Sequence, residues 1–134
     1  MESRSKLQVL LVDDDEAIRE SLKMFLTSSD YEVSTAENGR AALLKMNDRL
    51  PDLVISDLNM PQMSGYEFLS VIRQRFPQVL RVAMSGAHKG PSVPPGVAAN
   101  AFFGKGENVL NLLEIVADLA ASSATRLSAM APAA

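Results

Sequence analysis

Short apolar runs and longer stretches of helical periodicity take turns along the chain. Leu7 to Val12 is rich in Leu and Val and ends abruptly in Asp13, Asp14 and Asp15, as a strand buried on both faces does on leaving a sheet. From Glu16 to Ser28 the apolar Ile18, Leu22, Phe25 and Leu26 fall at helical spacing, with Arg19, Glu20 and Lys23 on other faces. Tyr31 to Ala36 alternates like a strand, Asn38 and Gly39 mark a turn, and Ala41 to Asn47 predicts a second helix through Ala42, Leu43 and Met46. Pro51 precedes a central buried strand, Asp52 to Asp57, and Gly65 to Phe76 predicts a third helix with Phe68, Leu69, Ile72 and Phe76 inward. Leu80 to Ser85 and Ala101 to Gly104 read as two more strands, and Val109 to Ala121 as a last helix striped by Leu112, Leu113, Val116 and Leu119.

Strands that alternate with helices at this interval need crossovers, which are right-handed and give a parallel sheet covered on both sides. The predicted class is therefore α/β, a doubly wound five-stranded parallel sheet. One interval breaks the rhythm. His88 to Ala99 holds three prolines and two glycines, so the helix expected between the fourth and fifth strands should be short, irregular or absent. The predicted organisation is a frayed N-terminus over residues 1–6, one domain over 7–121 and a flexible tail over 122–134, because neither end carries a sustained apolar face. A stand-alone domain is the simpler expectation, although a further domain beyond the tail stays open.

Composition narrows the function classes. The chain has 134 residues, 47% hydrophobic and 22% charged, which suits an ordinary globular domain. Its formal net charge of -3 argues against a direct nucleic-acid surface. It has no cysteine, so disulfides, thiolate metal sites and thiol nucleophiles are excluded. Apolar runs such as Val9 to Val12 fall far short of the roughly 20 residues that span a bilayer, and the start of the chain lacks an apolar signal core, so no membrane role and a cytoplasmic location are expected.

In a doubly wound sheet, ligands sit outside the carboxyl ends of the strands. Those ends carry Asp13, Asp14 and Asp15, then Asp57, Ser85 and Lys105. Carboxylates of Asp13, Asp14 and Asp57 packed together would repel by roughly 4 kcal/mol per pair at about 4 Å and an effective dielectric near 20. A hard divalent cation such as Mg²⁺ suits them, since it takes oxygen ligands and is held by a few carboxylates plus a phosphate. Phosphoryl transfer needs an in-line nucleophile and cations placed on the equatorial oxygens. Asp57 could be the nucleophile, the metal and Lys105 could hold two phosphoryl oxygens, and the Ser85 hydroxyl a third. Taken singly, each residue has a plainer explanation: the acids as helix caps, Asp57 as a turn residue, Ser85 as a cap, Lys105 as a solvated charge. Their joint placement at successive strand ends is what the plainer explanations do not predict. His88, the only histidine, is assigned no role.

Four separated stretches carry a family likeness: LLVDDDE at Leu10 to Glu16, DLVISDLNMPQMSG at Asp52 to Gly65, AMSGA at Ala83 to Ala87 and FFGK at Phe102 to Lys105. Together they resemble a receiver domain of two-component response regulators, over Leu7 to about Ala121. The resemblance implies a flavodoxin-like strand order 2-1-3-4-5 and phosphorylation on Asp57 in a Mg²⁺-dependent reaction. It implies that Asp14 is a direct metal ligand, Asp13 a ligand through water and Asn59 a ligand through its backbone carbonyl. Pro61 and Gly65 would shape the following loop, Ser85 and Lys105 would be the switch hydroxyl and the phosphate-binding lysine, and Phe102 the switch aromatic. Ala87 and Asn59 would flank the entry of hydrolytic water. The implied partners are a histidine kinase or histidine phosphotransfer protein upstream and another protein downstream, with no enzyme activity on an external substrate.

The chain departs from the family's pattern in three places. Gly106 stands where the family usually has proline after the lysine, so the Lys105–Gly106 bond should be trans and the ammonium less firmly placed. The Pro/Gly-rich interval removes much of the usual output face, and Phe102 replaces the commoner tyrosine. These leave open a receiver-like docking module that works without phosphorylation. A hydrolase of the haloacid dehalogenase type is disfavoured, because the second acid it wants two residues past its nucleophile is here Asn59.

Overall fold

A computed structural model describes residues 6–86 and 92–130, with side chains as far as 122. Strands β1 (Gln8–Val12), β2 (Glu32–Ala36), β3 (Leu53–Asp57), β4 (Leu80–Ser85) and β5 (Ala101–Gly104) form one sheet in the order β2-β1-β3-β4-β5. All of the pairings are parallel. Helices α1 (Glu16–Ser28), α2 (Gly39–Asp48), α3 (Gly65–Arg75) and α4 (Val109–Met130) complete the order. This is the flavodoxin-like order implied by the resemblance.

Each strand divides its side chains between two cores because alternate residues face opposite sides. Leu10, Val12, Val54 and Ala83 pack against Ala42 and Met46 of α2 and Phe68, Leu69 and Ile72 of α3. Val9, Leu11, Ile55, Val82 and Met84 pack against Leu22 and Leu26 of α1 and Leu112 and Val116 of α4. The continuous apolar run of β3 follows directly, since all five of its residues are buried. Caps fix the helix starts: Asp15 accepts from Ile18 N–H, Asn38 from Ala41 N–H and Ser64 from Glu67 N–H.

Among the described residues, no helix joins β4 to β5. Val93, Val97, Ala98 and Ala99 instead lie as irregular chain against the α2/α3 face of the sheet, together with Phe102. Arg81 holds this chain in place. It is a buried charge inside an otherwise apolar strand, 8% exposed. Its Nε donates to Ala98 O at 2.9 Å, and its Nη1 to Val79 O at 2.8 Å and more distantly to Pro77 O. Around the same residue, Arg81 N–H donates to Asn100 Oδ1 and Asn100 N–H to Arg81 O, both at 2.8 Å. The guanidinium thus supplies donors that a helix would have supplied to itself.

One expectation needs adjustment, and another falls mostly outside the described residues. The last helix, predicted to end at Ala121, continues as helical backbone to Met130, so the tail expected from 122 is helical over that stretch. Ala and Leu are strong helix formers, and no Gly or Pro interrupts them before Pro132; the prediction weighed only the absent apolar face. The N-terminal segment expected to fray lies outside the described residues up to 5, while Lys6 pairs with Asp30 at 3.2 Å.

Replacing Arg81 with Ala leaves the buried carbonyls of Ala98 and Val79 without their donors. We expect a loss of about 2–4 kcal/mol in urea unfolding. A loss under about 1 kcal/mol would mean that other groups satisfy these carbonyls.

Candidate functional site

The parallel pairing brings the strand ends to one edge. Val12 stands opposite Ser56, Asp57 opposite Met84 and Ser85 opposite Gly104, so the residues that follow β1, β4 and β5 surround the end of β3. Asp13, Asp14 and Asp57 can each offer an oxygen to a set lying within 4.8 Å of one another. Asp13 and Asp57 are buried while Asp14 faces outward.

Asp13 is held on every side. Its N–H donates to Ala36 O at 3.2 Å, and its Oδ1 accepts from Asp15 N–H at 2.9 Å. Its carbonyl accepts from Arg19 Nη1 at 2.7 Å. Its Oδ2 is buried, lies 2.9 Å from the Lys105 ammonium and has no further partner among the described residues. Such an oxygen retains lone pairs for a cation, and three converging carboxylates give a hard-cation donor set. The residues present therefore fit a divalent ion.

Asp57 sits at the last position of β3. Its Oδ2 is 3.1 Å from Lys105 Nζ, and its Oδ1 accepts from Asn59 N–H at 3.3 Å. Burial pushes its carboxyl above the ordinary aspartate value, against the pull of Lys105 and with a further push from Asp13. Burial alone would lower the Lys105 pKa, but the Asp13 and Asp57 carboxylates outweigh it, and the ammonium titrates above its ordinary value.

The chain around these groups leaves little slack. Gly65 opens α3 where a Cβ would lie 2.0 Å from Asp57 O and 2.6 Å from Leu58 Cα, so only glycine lets α3 start this close to the strand end. Lys105 and Gly106 form the centre of a turn closed by Glu107 N–H donating to Gly104 O at 2.9 Å, and Lys105 N–H donates to Ser85 O at 3.1 Å. The described residues contain no cis peptide bond, as expected for Lys105–Gly106. The Lys105 ammonium sits 2.9 and 3.1 Å from two carboxylates because the turn is tied to the ends of β4 and β5.

Of the residues singled out in the sequence, Asp13, Asp14, Asp57 and Lys105 are thus brought together, and Asn59 and Ser85 stand beside them. Phe102 is buried in the α2/α3 core rather than in the cluster. The plainer reading of the acidic run holds for Asp15 alone, which caps α1. Ala87 and His88 lie outside the described residues. Arg19 was missed because its position on α1 looked like a solvated helix face.

A family model described as response regulator receiver domain matches residues 9–116. The chain belongs to this family. The response regulator Rre1 of Synechocystis is 45% identical over 69 residues, 51% of this chain and 30% of that protein. The transcriptional regulatory protein GlrR of Escherichia coli is 39% identical over 97 residues, 72% of this chain and 21% of that protein. The chain therefore spans a third or less of the length of these relatives. Among solved structures, the Thermotoga maritima response regulator TrrA in complex with Mg²⁺-BeF superposes with a TM-score of 0.77 at 35% identity, covering 84% of this chain and 98% of that one. TrrA in complex with the histidine kinase ThkA also matches with a TM-score of 0.77, at 36% identity over 84% of this chain and 97% of that one.

Two measurements probe the receiver site. Gly65→Ala forces backbone apart at Asp57 and Leu58, and we expect it to cost at least about 2 kcal/mol in denaturant unfolding. In metal-free buffer, Asp57→Asn should melt at a higher temperature than wild type at pH 7. Because the folded-state pKa of Asp57 is raised, the stability linked to its neutral form is complete below the ordinary carboxylate value and is lost as pH rises through the folded value. The asparagine stays neutral, so the gap between the two proteins should open towards neutral pH and close below about pH 4. An equal or lower melting temperature for the variant at pH 7 contradicts this.

Proposed function

We propose that this receiver domain accepts a phosphoryl group on Asp57 in a reaction that requires Mg²⁺, and that phosphorylation changes its binding to another protein. The observation that carries the reading is the buried Asp57 carboxylate, 3.1 Å from the Lys105 ammonium and beside a second buried carboxylate, Asp13, whose Oδ2 faces the same ammonium and has no further partner among the described residues. The Mg²⁺-BeF complex of TrrA adds support from a similar protein.

In this reading Asp13, Asp14, Asp57 and the Asn59 carbonyl would hold the ion. When bound, the ion neutralises charge on the entering phosphoryl group and on the carboxylates around it. The protein's own groups do the rest. An oxygen of Asp57 attacks phosphorus in line with the leaving group, the P–N bond to the donor histidine breaks (the P–O bond when the donor is acetyl phosphate), and the donor departs with the electron pair. Lys105 passes from pairing with Asp57 to pairing with a phosphoryl oxygen. Ser85, at the end of β4, donates its hydroxyl to another oxygen, and Phe102 repacks as Ser85 moves. With phenylalanine at position 102 the switch works through packing alone.

The donor is a histidine kinase or a histidine phosphotransfer protein, a reading supported by the TrrA–ThkA complex. The output is a protein contact, without direct nucleic-acid binding and without turnover of an external substrate. The acidic balance and the lack of any membrane-crossing helix among the described residues fit a cytoplasmic location. A docking module indifferent to phosphorylation is the second reading, favoured by the absence of a helix in the described part of the β4–β5 connection.

Incubation with Mg²⁺ and acetyl phosphate, followed by intact mass, should give one added phosphoryl group on the wild type and none on Asp57→Asn. Lys105→Ala should accept it at least about tenfold more slowly, a barrier difference of roughly 1.4 kcal/mol. A wild type that acquires no phosphoryl group would support the docking reading.

A further inference from the structure

The guanidinium of Arg19, in the second turn of α1, reaches back to the β1–α1 turn and donates from Nη1 to the carbonyl of Asp13 at 2.7 Å. This is its only side-chain hydrogen bond among the described residues, and it forms no ion pair there although it is half-buried beside an acidic run. The backbone N–H of Arg19 meanwhile donates to Asp15 O at 2.9 Å. One residue therefore spans the turn that carries the acids following β1, Asp13 to Asp15. The other contacts of Asp13 are its N–H to Ala36 O at 3.2 Å, and at its carboxylate the Asp15 N–H and the Lys105 ammonium, each at 2.9 Å; among these contacts only Arg19 holds the Asp13 carbonyl.

We propose that Arg19 is a positioning residue that latches the β1–α1 turn so that Asp13 and Asp14 present their oxygens to the divalent cation. The proposal rests on the reading of Asp13, Asp14 and Asp57 as a cation site. A charge-assisted bond from a planar, always-charged donor fixes the direction of the Asp13 carbonyl, and with it the peptide that leads into Asp14. Asp14 is exposed and lacks a hydrogen bond of its own among the described residues, so its placement depends on the backbone before it.

The sign of the effect separates this role from simple electrostatics. A positive charge near three carboxylates disfavours an incoming cation, so removing it should tighten Mg²⁺ binding if charge alone mattered. Loss of a latch instead weakens binding. A purely structural contribution would lower the melting temperature and leave the Mg²⁺ affinity of the folded protein unchanged.

The test is calorimetric titration of Mg²⁺ into folded wild type, Arg19→Met, Arg19→Gln, Arg19→Lys and Asp14→Ala. We expect Arg19→Met and Arg19→Gln to bind Mg²⁺ about tenfold more weakly, Arg19→Lys to recover most of the loss because it keeps a charged donor, and phosphorylation of Arg19→Met at saturating Mg²⁺ to stay within about threefold of wild type. Either neutral variant binding Mg²⁺ as tightly as wild type, or more tightly, overturns the latch. Should Arg19→Met not fold, Arg19→Gln against Arg19→Lys decides the same point. A wild type that binds no Mg²⁺, or an Asp14→Ala that binds it equally well, overturns instead the reading of the cluster as a cation site.

Discussion

One ammonium makes this strand edge possible. Asp13 and Asp57 are both nearly out of water, and two ionised carboxylates so placed repel each other and lose hydration. Lys105 stands 2.9 Å from one and 3.1 Å from the other. Its attraction does not fully offset burial at Asp57, whose carboxyl remains displaced upward. The site is thus left short of positive charge, a shortage that a divalent ion would relieve in the proposed function. An apolar pair of the same volume would stabilise the fold better and would accept no phosphate.

The geometry that sustains this shortage comes from the sheet. Parallel strands whose carboxyl ends lie side by side deliver groups from β1, β3 and β5 to a single edge, although they are far apart in sequence. Gly65 allows α3 to begin against the backbone of Asp57, which closes in on this residue from the helix side. The turn over Lys105 and Gly106 is tied to Ser85 and Gly104, which places the ammonium without a proline. Backbone contacts position each charged group, and the side chains remain available for chemistry.

The β4–β5 connection shows a different solution to a packing constraint. Irregular chain laid on a sheet must satisfy its carbonyls, and here the buried Arg81 supplies the donors while Val97 and Ala98 supply apolar cover. Phe102 lies under this chain, so any movement of the ring meets a segment pinned by an arginine rather than a helix free to tilt. Output from this receiver must accommodate that restraint.

Local patterning alone specified most of the architecture. Alternating apolar runs and helical stripes gave the strands, the class and the breakdown of helix between β4 and β5, because periodicity, proline and glycine act over a few residues. Asp13, Asp14, Asp57 and Lys105 were legible as a site because strand ends in a doubly wound sheet must converge. Other features were decided only in three dimensions. Arg19 looked like a solvated helix charge until the turn of α1 brought it to the Asp13 carbonyl. Arg81 carries a charge into a buried strand, and the carbonyl its Nε reaches lies 17 residues away. The turn that carries Lys105 is tied by hydrogen bonds to Ser85 and Gly104, partners that the residue after it does not reveal. Sequence determines what each segment is inclined to form; where a long, flexible charged side chain ends up depends on which distant carbonyl or carboxylate the fold puts within its reach.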